Sequence, residues 1–253
     1  MTPPTKRLSQ TEFVAMTAML AATVAFSIDA MLPALPEIGQ ALAHENPNNA
    51  QLIITSFILG MGLGTFFTGP LSDAFGRKPV MVGGAIVYVI ACGVAWASST
   101  LEVMLAARVV QGLGAAGPRV VAMALVRDLY SGPQMARILS FVMVVFALVP
   151  ALAPTIGHYI ILGFGWRAIF AAFMLFSIFS LLCLIIRQPE TLYPENRRPL
   201  SVRAMTSATN EMLAHKTARL SIFVQTLTFG MLFTVLSSDR KSTRLNSSHP
   251  SRS

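Results

Sequence analysis

Long apolar runs, broken at intervals by short stretches rich in glycine, proline or arginine, dominate the pattern of the chain. Crossing about 30 Å of hydrocarbon at 1.5 Å per residue takes about 17 to 25 apolar residues. Runs of that kind lie at Phe13–Leu32, Gln51–Thr68, Pro79–Ala97, Val103–Val126, Ile138–Leu162, Ala168–Ile186 and Leu220–Leu236. Lipid accepts only helices and closed barrels, and barrel strands show short alternating segments instead of continuous runs, so the pattern predicts an all-α membrane protein. Lys6 and Arg7 precede the first run as in a signal peptide, but its apolar stretch is too long for an h-region and ends in Asp29 and Pro33. It is therefore read as an uncleaved helix. The predicted organisation is a tail at 1–12, a six-helix bundle at 13–186, a linker at 187–219, a seventh helix at 220–236 and a polar tail at 237–253.

Composition and charge sharpen this picture. With 54% hydrophobic and 12% charged residues, the chain is too apolar for a soluble domain. Its net charge of +8 could point to nucleic acid, yet the basic residues gather in short connections between apolar runs, which membrane topology explains. Nucleic acid is excluded as a partner; the bilayer is the expected one. One set of alternate connections carries Lys6, Arg7, Arg77, Lys78, Arg127, Arg137, Arg187, Arg197, Arg198, Arg203, Lys216 and Arg219. The other, before the seventh run, carries only Arg167, so the amino terminus is expected in the cytoplasm. Cys92 and Cys183 both lie inside apolar runs, which argues against a disulfide framework or a thiolate metal site.

The tail breaks the charge rule. Arg240, Lys241, Arg244 and Arg252 fall where the topology expects an outer segment. The stretch Asp239 to His249, DRKSTRLNSSH, resembles a translated sequencing adapter. The native sequence is accordingly expected to leave this chain between Leu236 and Asp239, with a second bundle missing beyond it.

Three constellations carry candidate chemistry. Between the second and third runs stands Gly69-Pro-Leu-Ser-Asp73-Ala-Phe-Gly76-Arg77-Lys78, in which glycines permit a tight turn while Asp73 and Arg77 can tie neighbouring helix ends. The fourth run contains Arg108, Gln111, Gly112, Ala115 and Arg119. At 100° per residue Arg108, Gly112, Ala115 and Arg119 share one face, with Gln111 at its edge, and the two arginines stand about 16 Å apart. An arginine facing lipid costs about 2.5 to 3.5 kcal/mol, so this face is expected to line an internal cavity as a basic stripe. A second use, Arg108 bonding carbonyls or an acid within the bundle, stays open. The first run holds Asp29, followed by Pro33-Ala-Leu-Pro36. A desolvated carboxylate holds its proton more tightly, as a proton carrier requires, and when ionised attracts a cation. Solvation at the outer interface is the competing reading for Asp29.

The first constellation resembles the cytoplasmic signature of the major facilitator superfamily, and Arg108-Val-Val-Gln111-Gly112 its motif in the fourth helix. The Asp29 segment, Val126-Arg127-Asp128-Leu129-Tyr130 and Trp166-Arg167-Ala168-Ile169-Phe170 are similar to the Bcr/CflA drug:proton antiporters. The resemblance implies a bacterial inner-membrane efflux carrier with a drug-like substrate, driven by a proton gradient without a cofactor. It further implies that Asp73 meets a helix of the second bundle, that Arg77 pairs with Asp128, and that Gly69, Asp73, Gly76, Arg77, Lys78, Arg127 and Asp128 form a cytoplasmic latch. The antiporters' fifth helix carries a Gly-Pro-x-x-Gly-Gly motif; here it reads Ala153-Pro154-Thr155-Ile156-Gly157-His158, leaving Pro150, Pro154 and Gly157 as an expected hinge. Asp29, Arg108, Gln111 and Arg119 are the expected proton and substrate residues. A symporter or exporter of a small anionic metabolite is the alternative on the same fold. A membrane enzyme or receptor lacks support, since no His-Glu-x-x-His, nucleophile elbow or phosphate loop occurs.

Overall fold

The computed structural model describes residues 9–43, 46–197, 199–201, 206–207, 210–211, 213–228 and 230–231. The chain divides into two compact units, Met1–Leu200 and Ser201–Ser253. Among its described residues the first holds seven α-helices: α1 (Gln10–Asp29), α2 (Leu35–Leu42), α3 (Leu52–Phe75), α4 (Arg77–Trp96), α5 (Leu101–Leu129), α6 (Gly132–Phe164) and α7 (Arg167–Arg187). They make six candidate membrane spans, because α1 runs through a short 3-10 turn at Leu32–Ala34 into α2 as one path, Gln10–Leu42. Pro33 and Pro36 permit this continuation because each occupies the first turn of its helix, where no amide is needed. Described residues of the second unit are helical at 206–207, 210–211, 213–214, 216–228 and 230–231, of which 220–228 and 230–231 fall within the seventh apolar run. The rest of that run to Leu236, and the stretch Asp239 to His249, fall outside the described residues.

Helix ends follow local chemistry. Ser9 caps α1 in a capping box, its Oγ accepting from the Glu12 amide at 3.3 Å while its own amide donates to Glu12 at 3.1 Å. Glu12 also pairs with Arg187 at the end of α7. One expectation about the signature segment needs correction. Gly69, Ser72 and Asp73 do not lie in a loop; they form the last turns of α3, and only Gly76 interrupts the path into α4. Gly76 has φ +107°, a region open to glycine and costly for other residues, so the whole turn is compressed into one position.

α5 is the centre of the bundle, packed along α3 and α4, while α1 packs on α6, α5 and α7, and α7 on α4. Without a strong hydrophobic drive inside lipid, such contacts depend on close approach at small residues. A Cβ at Gly60 of α3 would strike the Val109 backbone, and one at Gly112 would strike the Phe57 carbonyl and Met61 amide. Gly60 and Gly64, four residues apart, thus serve helix packing. Gly112→Ala is expected to lower bundle stability by about 1 to 3 kcal/mol through overpacking, whereas Gly62→Ala, whose Cβ meets nothing within 4 Å, serves as the silent control. Melting of the two variants in detergent checks this.

The buried core forms two clusters. Ile38, Ile53, Phe57, Met104, Phe170 and Phe173 mark the end of the bundle that holds Asp29, and Phe13, Leu20, Met81, Leu125, Ile138 and Leu184 the end that holds Arg77. The outward face carries large exposed apolar side chains, among them Leu59, Phe66, Ile90, Leu162, Leu175 and Ile186. Such a surface would aggregate in water and suits contact with acyl chains.

Candidate functional site: a charged latch, a buried arginine and a lone carboxylate

At one end of the bundle Arg77, the first residue of α4, gathers three side chains. Its Nη1 donates to Asp73 Oδ1 at 2.6 Å and to Ser72 Oγ at 2.7 Å, and its Nε to Asp128 Oδ2 at 3.0 Å. The cluster therefore bonds the ends of α3, α4 and α5 through one planar cation whose fork suits two carboxylates at once. The Arg77 and Asp128 contact implied by the resemblance is present. Asp73 turns to Arg77 as well. Lys78 reaches the Ile185 carbonyl near the end of α7 at 2.8 Å, and Arg127 is exposed.

Next to this charged cluster opens a cavity of about 610 Å³ lined by Arg119, Arg127, Arg77, Asp73, Thr65 and Met123, among others. Arg119 is half-buried, with Nη1 3.6 Å from Met61 Sδ. Gly69 also borders the cavity.

The second centre is sealed. Arg108 is 0% exposed. Its Nε donates to the Ile53 carbonyl at 3.2 Å, Nη1 to Gln111 Oε1 at 2.8 Å and Nη2 to the Ser27 carbonyl at 3.1 Å. The guanidinium carbon lies 4.4 Å from the centre of the Phe57 ring, a cation–π contact. Gln111 Nε2 lies 3.0 Å from Cys92 Sγ, and the hydroxyls of Ser27 and Tyr88 meet at 2.5 Å. Four helices thus meet on one polar core: α1 through Ser27, α3 through Ile53, α4 through Tyr88 and Cys92, and α5 through Arg108 and Gln111.

This arrangement corrects the expected basic stripe. Arg108, Gly112 and Arg119 do share a side of α5, but that side is pressed against α3, where Ile53, Phe57 and Met61 receive them. Of these two arginines Arg119 borders the open cavity, while Arg108 is spent on carbonyls and an aromatic ring. The glycine contact draws α3 and α5 too close for a cavity to run between the two arginines.

Asp29 is the last residue of α1, half-buried, and its carboxylate makes no hydrogen bond or ion pair among the described residues. Two residues earlier, Ser27 is held by Arg108, and one residue later Ala30 abuts Gly157 of α6, where a Cβ would strike the Ala30 carbonyl. Pro150 and Pro154 lie inside α6, which remains continuous from Gly132 to Phe164. His158 is exposed.

Several of these partners were not singled out from the sequence. Ser27, Tyr88 and Cys92 are small or amphipathic residues inside apolar runs, and carry no charge to mark them.

A bundle with six candidate spans among its described residues and an apolar outward face defines a multi-pass membrane protein. The family model of the Major Facilitator Superfamily matches residues 17–241, and the chain belongs to that superfamily. A "Bicyclomycin resistance protein homolog" of Haemophilus influenzae is 37% identical over 210 residues, covering 82% of this chain and 52% of that protein. "Multidrug resistance protein MdtL" of Shewanella oneidensis is 38% identical over 168 residues, covering 65% of this chain and 42% of that protein. The chain thus spans about half the length of the curated relatives it matches. Among solved structures, the human organic anion transporter MFSD10 (TETRAN) aligns with TM-score 0.64 at 20% identity, over 79% of this chain and 53% of that one. A D-xylose-proton symporter aligns with TM-score 0.64 at 16% identity, over 80% and 53%. These two likenesses concern the fold.

Proposed function

We propose that this chain is the amino-terminal part of a bacterial inner-membrane carrier that expels drug-like small molecules in exchange for protons by alternating access. The observation that carries the reading is the 37% identity to a bicyclomycin resistance homologue over 210 residues, a stretch that spans most of the six-helix bundle. Asp29 carries the proton. Arg108 and Gln111 hold the end of α1 that presents it, and Arg119 sets the polarity of the cavity. Gly69, Asp73, Gly76, Arg77, Lys78, Arg127 and Asp128 form the cytoplasmic latch, with the amino terminus on the same side, and Pro150, Pro154 and Gly157 let α6 flex against α1. Alternating access rocks one bundle against another, so a second bundle is the partner this half requires.

A second reading has its own support. Arg119 and Arg127 face the cavity beside an Arg77 already paired with Asp73 and Asp128, an excess of positive charge that favours a small anion.

The test is transport by the full-length protein in proteoliposomes, with neutral, cationic and anionic compounds. Drug movement that requires an imposed proton gradient and is matched by a proton flux is the expected result, with the 253-residue chain inactive alone. Transport restricted to anions would replace this reading with the second, and gradient-independent drug movement would remove the antiport.

A further inference from the structure

The start of the linker is anchored to the latch through one carboxylate. α4 opens with Arg77, Lys78 and Pro79, so its first two amides have no partner within the helix and its third position offers none. Glu190, three residues beyond α7, supplies what is missing: Oε1 accepts from the Arg77 amide at 3.0 Å and Oε2 from the Lys78 amide at 3.0 Å. Oε1 also accepts from its own neighbours, the amides of Thr191 at 3.0 Å and Leu192 at 2.9 Å, which wraps the linker around the carboxylate. Four amides converge on a single anion at the positive end of a helix dipole. Thr191 Oγ1 then lies 3.4 Å from Asp128 Oδ2, the same oxygen that Arg77 grips.

Gly76 offers an independent view of the same contact. A Cβ there would sit 2.7 Å from Glu190 Oε2 and 3.1 Å from Arg197 Nη2, so the glycine serves the linker as well as the turn.

We infer that Glu190 is a positioning residue for the latch: by seating the first turn of α4 it sets the direction in which Arg77 reaches Asp73 and Asp128, and it makes residues 188–197 a docked strap. The inference rests on the latch role proposed above. Its physical basis is that the backbone turn carrying the Arg77 side chain has no other cap among the described residues.

Two measurements on the full-length carrier test it separately. In hydrogen exchange, Glu190→Gln is expected to speed exchange of the peptides holding Arg77–Lys78 and Thr191–Leu192 together, by tenfold or more, because a neutral amide is a weaker acceptor for the four donors. Gly76→Ala is expected to do the same, and Glu190→Asp to retain much of the protection. Unchanged exchange in Glu190→Gln would overturn the strap whether or not the protein transports anything. In efflux, Glu190→Gln is expected to lower the maximal rate severalfold at unchanged KM, and Arg77→Gln to lower it further. The double variant should match Arg77→Gln alone, since both act through one group. Additive losses, or a fall in amount of folded protein that accounts for the rate, would reduce Glu190 to a cap without influence on Arg77. If the unmodified carrier shows no efflux, the proposed function fails while the exchange result still decides the strap.

Discussion

Asp29→Asn in the full-length carrier is expected to reduce proton-driven efflux by tenfold or more while leaving the bundle assembled. The carboxylate ends α1 without a hydrogen-bond or ion-pair partner among the described residues, so converting it to an amide breaks no contact. A change in stability within about 0.5 kcal/mol follows for such a site. What the substitution does remove is the ability to take up and release a proton. Asp29→Glu, which keeps that ability, is expected to recover part of the efflux. Gradient-driven efflux by proteoliposomes, alongside melting in detergent, measures both. Full efflux by the asparagine variant would make Asp29 a solvated residue at the end of a helix and move the proton to a carboxylate elsewhere.

Arg108→Met is the second decisive substitution, and the magnitudes make its outcome less obvious than the buried network implies. Interhelical hydrogen bonds within membranes average about 0.6 kcal/mol, so losing the two from Arg108 to α1 and α3 sacrifices about 1 kcal/mol, and losing the Phe57 ring contact about 1 kcal/mol more. Burying an arginine costs about 2.5 to 3.5 kcal/mol by insertion scales. The two nearly cancel, and methionine fills most of the volume, so the bundle is expected to assemble with a stability change of about 1 kcal/mol. Arg108→Ala, which adds a cavity, is expected to lose about 2 kcal/mol more. Efflux by Arg108→Met is nonetheless expected to collapse, because the Ser27 carbonyl that fixes the end of α1 beside Asp29 loses its charged donor. A folded, fully active Arg108→Met protein would leave Arg108 a packing residue.

Much of the architecture was legible beforehand. Each of the six spans lies within a turn or two of its expected bounds, apart from the extension of the first to Leu42. The contact between Arg77 and Asp128 was expected too, from the family resemblance and not from spacing within one connection. The arginine face of α5 was only half legible. Helical periodicity correctly grouped Arg108, Gly112, Ala115 and Arg119, yet it cannot say whether a shared face meets water or a neighbouring helix. Gly112 was the clue: a glycine beside an arginine on a packed face signals close backbone approach, and that approach excludes a cavity.

Chain chemistry alone determined that the protein is helical, where its spans lie and which ends collect positive charge. A backbone in lipid must satisfy its own hydrogen bonds, and desolvation confines charge to the ends or to a partnered interior. Tertiary structure alone decided the partners. Arg108 meets Ser27 across 81 residues and Glu190 meets Arg77 across 113, and no local pattern encodes such pairings. They arise when packing brings an uncapped helix start or a buried cation to whichever acceptor the neighbouring helices present, and the strength of each contact depends on that geometry.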